Sequence, residues 1–247
     1  IEAFKTERLA FEIVLIVDTT PGDDTELVAR EIASAYPEVR LITRRGRQGV
    51  GTAVRTGLRT TSGEIVVITM GDATESASDV VALARKAERG YDIVVGNRFM
   101  KKHMVAGYPT LKYCANRLCN LLVRLVFRIP TGDITNAFKA YSRRVLRELD
   151  LRSKGYSVFL ELPLEAYLCG AARLVEVPVS HIATRKSHGL SIWRDGITYC
   201  LIILRILIYE TIGKSCHMFL DGIRRAREGA YIGFRLQRWL AGKTAQR

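Results

Sequence analysis

Four runs of aliphatic and β-branched residues, 11–18, 39–43, 64–70 and 91–96, are separated by stretches with helical spacing at 25–36, 49–61 and 77–89. A parallel strand pair needs a long return path, and a helix supplies it. Strands alternating with helices therefore predict a mostly parallel sheet with right-handed crossovers. The chain has 247 residues, 48% of them hydrophobic, enough for one α/β core and a tail.

The run Ile65 to Thr69 stops abruptly, and Gly71, Asp72, Ala73, Thr74 and Glu75 come after it. The segment after a buried strand sits at the carboxyl edge of the sheet, where open α/β sheets bind ligands. Asp72 and Glu75 there could hold Mg²⁺ or Mn²⁺ and leave coordination sites for phosphate oxygens. The competing reading is an acidic helix start capped by Thr74 or Ser76. Asp18 ends the 11–18 run in the same way, as a ligand acceptor or as a turn cap. Gly49 and Gly51 open the 49–61 helix but lack a third glycine at the dinucleotide offset, which argues against a Rossmann cofactor.

The character changes after Arg98. Residues 110–128 read as a helix with Leu111, Leu118, Leu121, Leu122, Leu125 and Val126 apolar and Lys112, Arg117, Arg124 and Arg128 basic. Residues 173–179 read as a strand. The most apolar run, 197–209, contains Arg205 and is shorter than the ~20 residues of a spanning helix. It reads as an interfacial or docking helix. Trp193 and Tyr199 fit an interface or ordinary packing, and the tail from Lys214 is basic and helical. His181 and His188 stand alone and are not read as metal ligands.

The net charge of +13 calls for an anionic partner: nucleic acid, a phosphorylated substrate or an acidic lipid surface. Zinc-finger spacing, helix-turn-helix spacing and RNA-binding aromatics are all missing from the sequence, so nucleic acid is set aside. Five cysteines without a C-x-x-C pair fit a reducing compartment. The sequence opens on Ile1 inside an amphipathic stretch, so the natural N-terminus is expected upstream.

Five motifs occur in order: Val17-Asp18-Thr19-Thr20-Pro21-Gly22-Asp23-Asp24-Thr25; Gly49-Val50-Gly51-Thr52-Ala53; Met70-Gly71-Asp72-Ala73-Thr74-Glu75; Gly96-Asn97-Arg98-Phe99; and Asp133-Ile134-Thr135-Asn136-Ala137-Phe138-Lys139. Their series resembles family 2 glycosyltransferases of the GT-A fold, in the dolichol-phosphate mannosyltransferase-like branch, through about Tyr209. Three departures stand out. The family's opening strand is absent. The metal motif has Asp72 between Gly71 and Ala73 instead of an Asp-x-Asp. The late basic motif is reduced to Arg185-Lys186-Ser187-His188-Gly189-Leu190-Ser191-Ile192.

The resemblance implies a GT-A-like three-layer α/β sandwich over residues 1–190, with a mostly parallel central sheet, and an amphipathic, basic helical region over 191–247. It implies inverting transfer of a hexose from GDP-mannose or UDP-glucose to a polyprenyl phosphate by a peripheral enzyme on the cytoplasmic face of a membrane. The expected catalytic residues are Asp72, Arg98 and Asp133. Asp18, Gly49, Asp72, Arg98 and Arg185 are expected to hold the nucleotide sugar, and Lys112, Arg117 and Thr135 the acceptor phosphate. Asp72 and Glu75 are the expected ligands of Mg²⁺ or Mn²⁺. Glu161 matches a family position or is a buried structural acid. Partners are the nucleotide sugar, the lipid phosphate and an anionic membrane surface, and self-association stays open. The alternative function, suggested by the absent strand and by Ile192, is an inactive binding module.

Overall fold

The computed structural model describes residues 1–19, 22–46, 48–72, 74–100, 110–147, 149–170, 173–180 and 196–208, with the main chain alone at Lys112. The chain divides into two compact units, Ile1–Tyr199 and Cys200–Arg247. In chain order the elements are α1 (Glu2–Thr6), β1 (Ile13–Thr19), α2 (Thr25–Ala35), β2 (Val39–Arg45), α3 (Val50–Thr60), β3 (Ile65–Ile68), α4 (Ala77–Glu88), β4 (Ile93–Asn97), α5 (Thr110–Phe127), β5 (Lys139–Ser142), α6 (Arg143–Leu146), α7 (Val158–Leu168) and β6 (Leu174–Pro178). Residues 196–208 are also helical.

The strands form two sheets. β1 and β2 pair in parallel, Ile13 opposite Val39 through Thr19 opposite Arg45. The second sheet runs β3-β5-β4-β6. β5 is antiparallel to both β3 and β4, and β6 is parallel to β4, so β3, β4 and β6 share one direction. β5 is therefore an inverted strand inserted between two parallel ones. Four residues with a lysine at the front give no strand signal, and its place comes from contacts on both edges.

β4 is buried along its whole length, and strand alternation sends its side chains to two faces. On one face Ile93, Val95 and Tyr141 pack with Val54 of α3 and Phe159, Leu162 and Ala166 of α7. On the other face Val94, Phe138 and Ala140 pack with Leu83 and Ala87 of α4. Helix, sheet and helix make three layers, as the family resemblance implies. Burying each large aliphatic side chain in these layers stabilises the fold by roughly 1.5–3 kcal/mol.

α3 bridges the two sheets. Val54 lies in the core over β4, while a Cβ added at Gly57 would stand 3.9 Å from Ile16 Cγ1 of β1. Glu12, just before β1, clamps the turn before β3. Its carboxylate accepts from the Ser62 amide, from Ser62 Oγ at 2.7 Å, from the Gly63 amide at 3.1 Å and from Arg40 Nη2 at 2.9 Å. Burial alone would raise its pKa, but these donors bring it down to about 2.

Candidate active site

The acidic segment comes directly after β3, as the sequence predicts. Asp72 is exposed, and its Oδ1 accepts from the Thr74 amide at 3.3 Å and from Thr74 Oγ1 at 2.9 Å. Ser76 caps α4 by accepting from the Asp79 amide at 3.1 Å. A helix cap and an acid pair thus occupy the same turn. Glu75 is half-buried, and its pKa is raised first by burial and then by the charge of Asp72. An acid pair in the turn after a strand suits a hard divalent cation, whose charge would offset the two carboxylates. Among the described residues no group of three or more His, Cys, Asp and Glu could hold a metal ion. Asp72 and Glu75 fit a site whose shell phosphate oxygens complete, as Mg²⁺ sites commonly do.

Beyond the end of β4 the chain turns sharply, with Asn97 Oδ1 accepting from the Phe99 amide at 2.7 Å. That turn sends Arg98 back onto Asp133. Asp133 Oδ2 accepts from the Arg98 amide at 3.0 Å and from Nε at 2.8 Å, and Oδ1 accepts from Nη2 at 2.8 Å. Arg98 is 8% exposed and Asp133 is fully buried. Both carboxylate oxygens face Arg98, so Asp133, expected as a catalytic residue, is engaged by Arg98. A bidentate pair of this kind fixes the guanidinium plane before any ligand arrives.

α5 builds the other wall. Arg117 is exposed, donates to the Gly132 carbonyl at 3.0 Å and lies over the Phe99 ring at 5.1 Å. Arg98 approaches the same ring at 5.3 Å, and Tyr113 meets it edge-on at 5.4 Å. Two guanidinium groups therefore share one aromatic ring. Thr135, expected to bind the acceptor phosphate, is buried and exchanges hydrogen bonds with Asn116. Asn120 Oδ1 accepts from the Ile134 amide at 2.6 Å. Glu176 of β6 accepts from Thr131 Oγ1 and from the Gly132 amide, each at 2.6 Å. Asn116, Asn120 and Glu176 hold the 131–136 loop in place, and sequence reasoning missed all three.

Asp18 sits at the end of β1 and is engaged within the fold. Its Oδ2 accepts from the Gln48 amide at 2.9 Å and the Gly49 amide at 3.3 Å. Its Oδ1 meets the buried Arg44 as an ion pair rather than an aligned hydrogen bond. Asp18 thus fixes the start of α3. Gly49 has φ +88°, and a Cβ there would come within 2.6 Å of the Lys154 carbonyl. A Cβ at Gly51 would collide with the Ser153 carbonyl, and the Gly51 amide donates to Lys154 O at 2.8 Å. The glycines let the 151–155 loop lie against the helix start. Glu161, fully buried, holds that loop through the Arg152 amide at 3.0 Å and the Ser153 amide at 2.9 Å. The structural role offered for Glu161 is the one visible in these bonds.

Lys112 lies in the first turn of α5, but its side chain is outside the described residues, as are Arg185, Lys186, His181, His188 and Trp193. The assembled residues are Asp72 with Glu75 after β3, and Arg98, Asp133, Thr135 and Arg117 around the end of β4. β3 and β4 run the same way with only β5 between them, so their carboxyl ends lie on one edge of the sheet. Two interstrand steps separate them, roughly 10 Å.

Residues 2–150 match the sequence family Glycosyl transferase family 2. The chain is 29% identical over 187 residues to a polyprenol monophosphomannose synthase of Mycolicibacterium smegmatis, covering 72% of this chain and 69% of that protein. It is 26% identical over 208 residues to a dolichol-phosphate mannosyltransferase of Pyrococcus furiosus, covering 83% of this chain but 57% of that protein's length. Among solved structures it is similar to glucosyl-3-phosphoglycerate synthase from Mycobacterium tuberculosis in complex with Mn²⁺, uridine diphosphate and phosphoglyceric acid. The TM-score there is 0.58 at 21% identity, over 81% of this chain and 67% of that one. The family match spans more than half of the chain, and the shared architecture agrees with it: this is a glycosyltransferase of family 2, with the GT-A fold.

Proposed function

We propose that the chain transfers a hexose from a nucleotide sugar, GDP-mannose or UDP-glucose, to a polyprenyl phosphate at a membrane surface, with inversion at the anomeric carbon. One observation carries this reading. The Asp72–Glu75 acid pair and the Arg98–Asp133 pair stand at the ends of two like-directed strands separated by a single strand. That spacing suits a diphosphate lying along the sheet edge. The relatives' names supply the acceptor class.

Asp72 and Glu75 would hold Mg²⁺ or Mn²⁺, which as a Lewis acid would offset the charge on the leaving diphosphate. Arg98, pre-aligned by Asp133, orients a phosphate oxygen and needs no rearrangement as charge develops. A lipid phosphate is already ionised near neutral pH, so it requires positioning rather than a general base. Exposed Arg117 on α5 is placed to bind it, beside Phe99. The outward face of α5, with Leu111 71% and Leu125 66% exposed, would rest on the bilayer. Among the described residues no helix is long and apolar enough to cross a membrane. Loss of divalent-dependent nucleoside diphosphate binding in Asp72→Asn, measured by calorimetry with the fold intact, is the expected result. Unchanged binding would overturn the metal assignment.

A further inference from the structure

Arg117 is exposed on α5, yet two contacts fix it, and both lead back to the Arg98–Asp133 pair. Its Nη1 donates to the carbonyl of Gly132, the residue before Asp133, at 3.0 Å. Its guanidinium stands 5.1 Å from the centre of the Phe99 ring, and Phe99 is the residue after Arg98. The Arg98 guanidinium stands 5.3 Å from the same ring centre. Phe99 is itself held. Its amide donates to Asn97 Oδ1 at 2.7 Å, and Tyr113, one helical turn before Arg117 on α5, meets the ring edge-on at 5.4 Å.

Like charges this close repel. An aromatic ring carries negative charge on its faces and attracts both cations, so it holds them together without bearing a net charge itself. The carboxylates nearby are engaged at other positions. Asp133 takes Arg98 through both oxygens, and Glu176 takes the Thr131 hydroxyl and the Gly132 amide. Arg117 Nη1 and Glu176 Oε1 would lie 3.8 and 3.9 Å from a Cβ at Gly132. Glu176 therefore offsets part of the Arg117 charge, while the ring and the Gly132 carbonyl set its position.

A single displacement puts the entering lipid-phosphate oxygen and the leaving diphosphate oxygen on opposite sides of one carbon. The groups that hold the two phosphates therefore need a set spacing. Long arginine side chains give up rotamer freedom to keep one. We infer that Phe99 is a positioning residue: its ring holds Arg117, the acceptor-phosphate arginine, at a fixed distance from Arg98, the diphosphate arginine, and so sets where the lipid phosphate stands relative to the anomeric carbon. The inference rests on the roles proposed above for these two arginines. Its effect falls on the acceptor side, because Asp133 fixes Arg98 independently of the ring.

The test is steady-state hexose transfer by the full chain with Mn²⁺, varying polyprenyl phosphate in vesicles and GDP-mannose or UDP-glucose in turn. Phe99→Leu should raise KM for polyprenyl phosphate about tenfold, the range of a cation–π contact shielded from water, and leave KM for the nucleotide sugar within about twofold. Phe99→Met, also apolar and without a ring, should behave like Phe99→Leu, so that loss of folding in one variant is not mistaken for loss of the ring. Phe99→Tyr, which keeps the ring, should restore the wild-type value. In Arg117→Ala the further change Phe99→Leu should cost nothing more, since the ring acts through Arg117. Equal losses for both substrates in the variants without a ring, failure of Phe99→Tyr to restore KM, or fully additive losses in the double variant each overturn the inference while leaving the site standing. An unchanged KM for polyprenyl phosphate in Arg117→Ala, or no transfer by the wild type, overturns the reading of the acceptor site itself.

Discussion

Asp133 has no exposed surface and meets Arg98 through three hydrogen bonds, so what it does in the fold is fix the Arg98 guanidinium. Removing one partner of a buried pair leaves an uncompensated charge. Asp133→Ala should therefore destabilise the fold by about 3–5 kcal/mol in urea unfolding. A loss comparable to that of a surface substitution would show the pair to be dispensable. Glu12 makes a pH prediction. Its folded pKa of about 2 lies below the ordinary 4.5, so its contribution is present in full above pH 4.5 and fades as pH falls toward 2. The stability gap between wild type and Glu12→Gln should shrink over that window, and a constant gap would contradict the clamp. At this scale Asp72, Arg98 and Asp133 were legible because each stands beside a strand end or a motif. Glu176 and Asn120 were not. They reach the site across 44 or 45 residues and 14 residues of sequence, and no local pattern encodes such a bond.

Elements with a regular apolar spacing or a short β-branched run were readable from the sequence: β1, α2, β2, α3, β3, α4, β4, α5 and β6 fall within a few residues of their expected ranges. α7 left no such trace. It is buried on nearly every side, with Val158 through Leu164 and Ala166 inside, so its apolar residues show no period, and Pro163 argues locally against a helix. Tertiary burial on all sides overrides that local preference. β5 escaped for the same reason in miniature, since its strand state comes from two neighbours and not from Lys-Ala-Tyr-Ser. α5 carries the prediction for this scale. Leu118, Leu121, Leu122 and Leu125 are exposed and support no core. Leu121→Asn with Leu125→Asn should leave the melting temperature unchanged and weaken binding to anionic vesicles. Binding of the wild type should itself fall as salt rises, because nearby basic residues each contribute on the order of 1 kcal/mol at low ionic strength. Vesicle binding that ignores both the substitutions and salt would move the membrane contact elsewhere.

For the whole molecule, the three-layer arrangement puts an acid pair and a clamped arginine on one sheet edge, and α5 places a second arginine and an apolar face beside them. That combination is the basis of the proposal above, in which a soluble donor meets a lipid-bound acceptor in a single displacement. The most direct measurement is hexose transfer from labelled GDP-mannose and UDP-glucose to polyprenyl phosphate in vesicles, with the anomeric configuration of the lipid product assigned by NMR. The expected result is a divalent-dependent product of inverted configuration, with turnover reduced about a hundredfold or more in Arg98→Ala, in the range lost with a single oxyanion-stabilising donor. A product of retained configuration, or full turnover in Arg98→Ala, would contradict it.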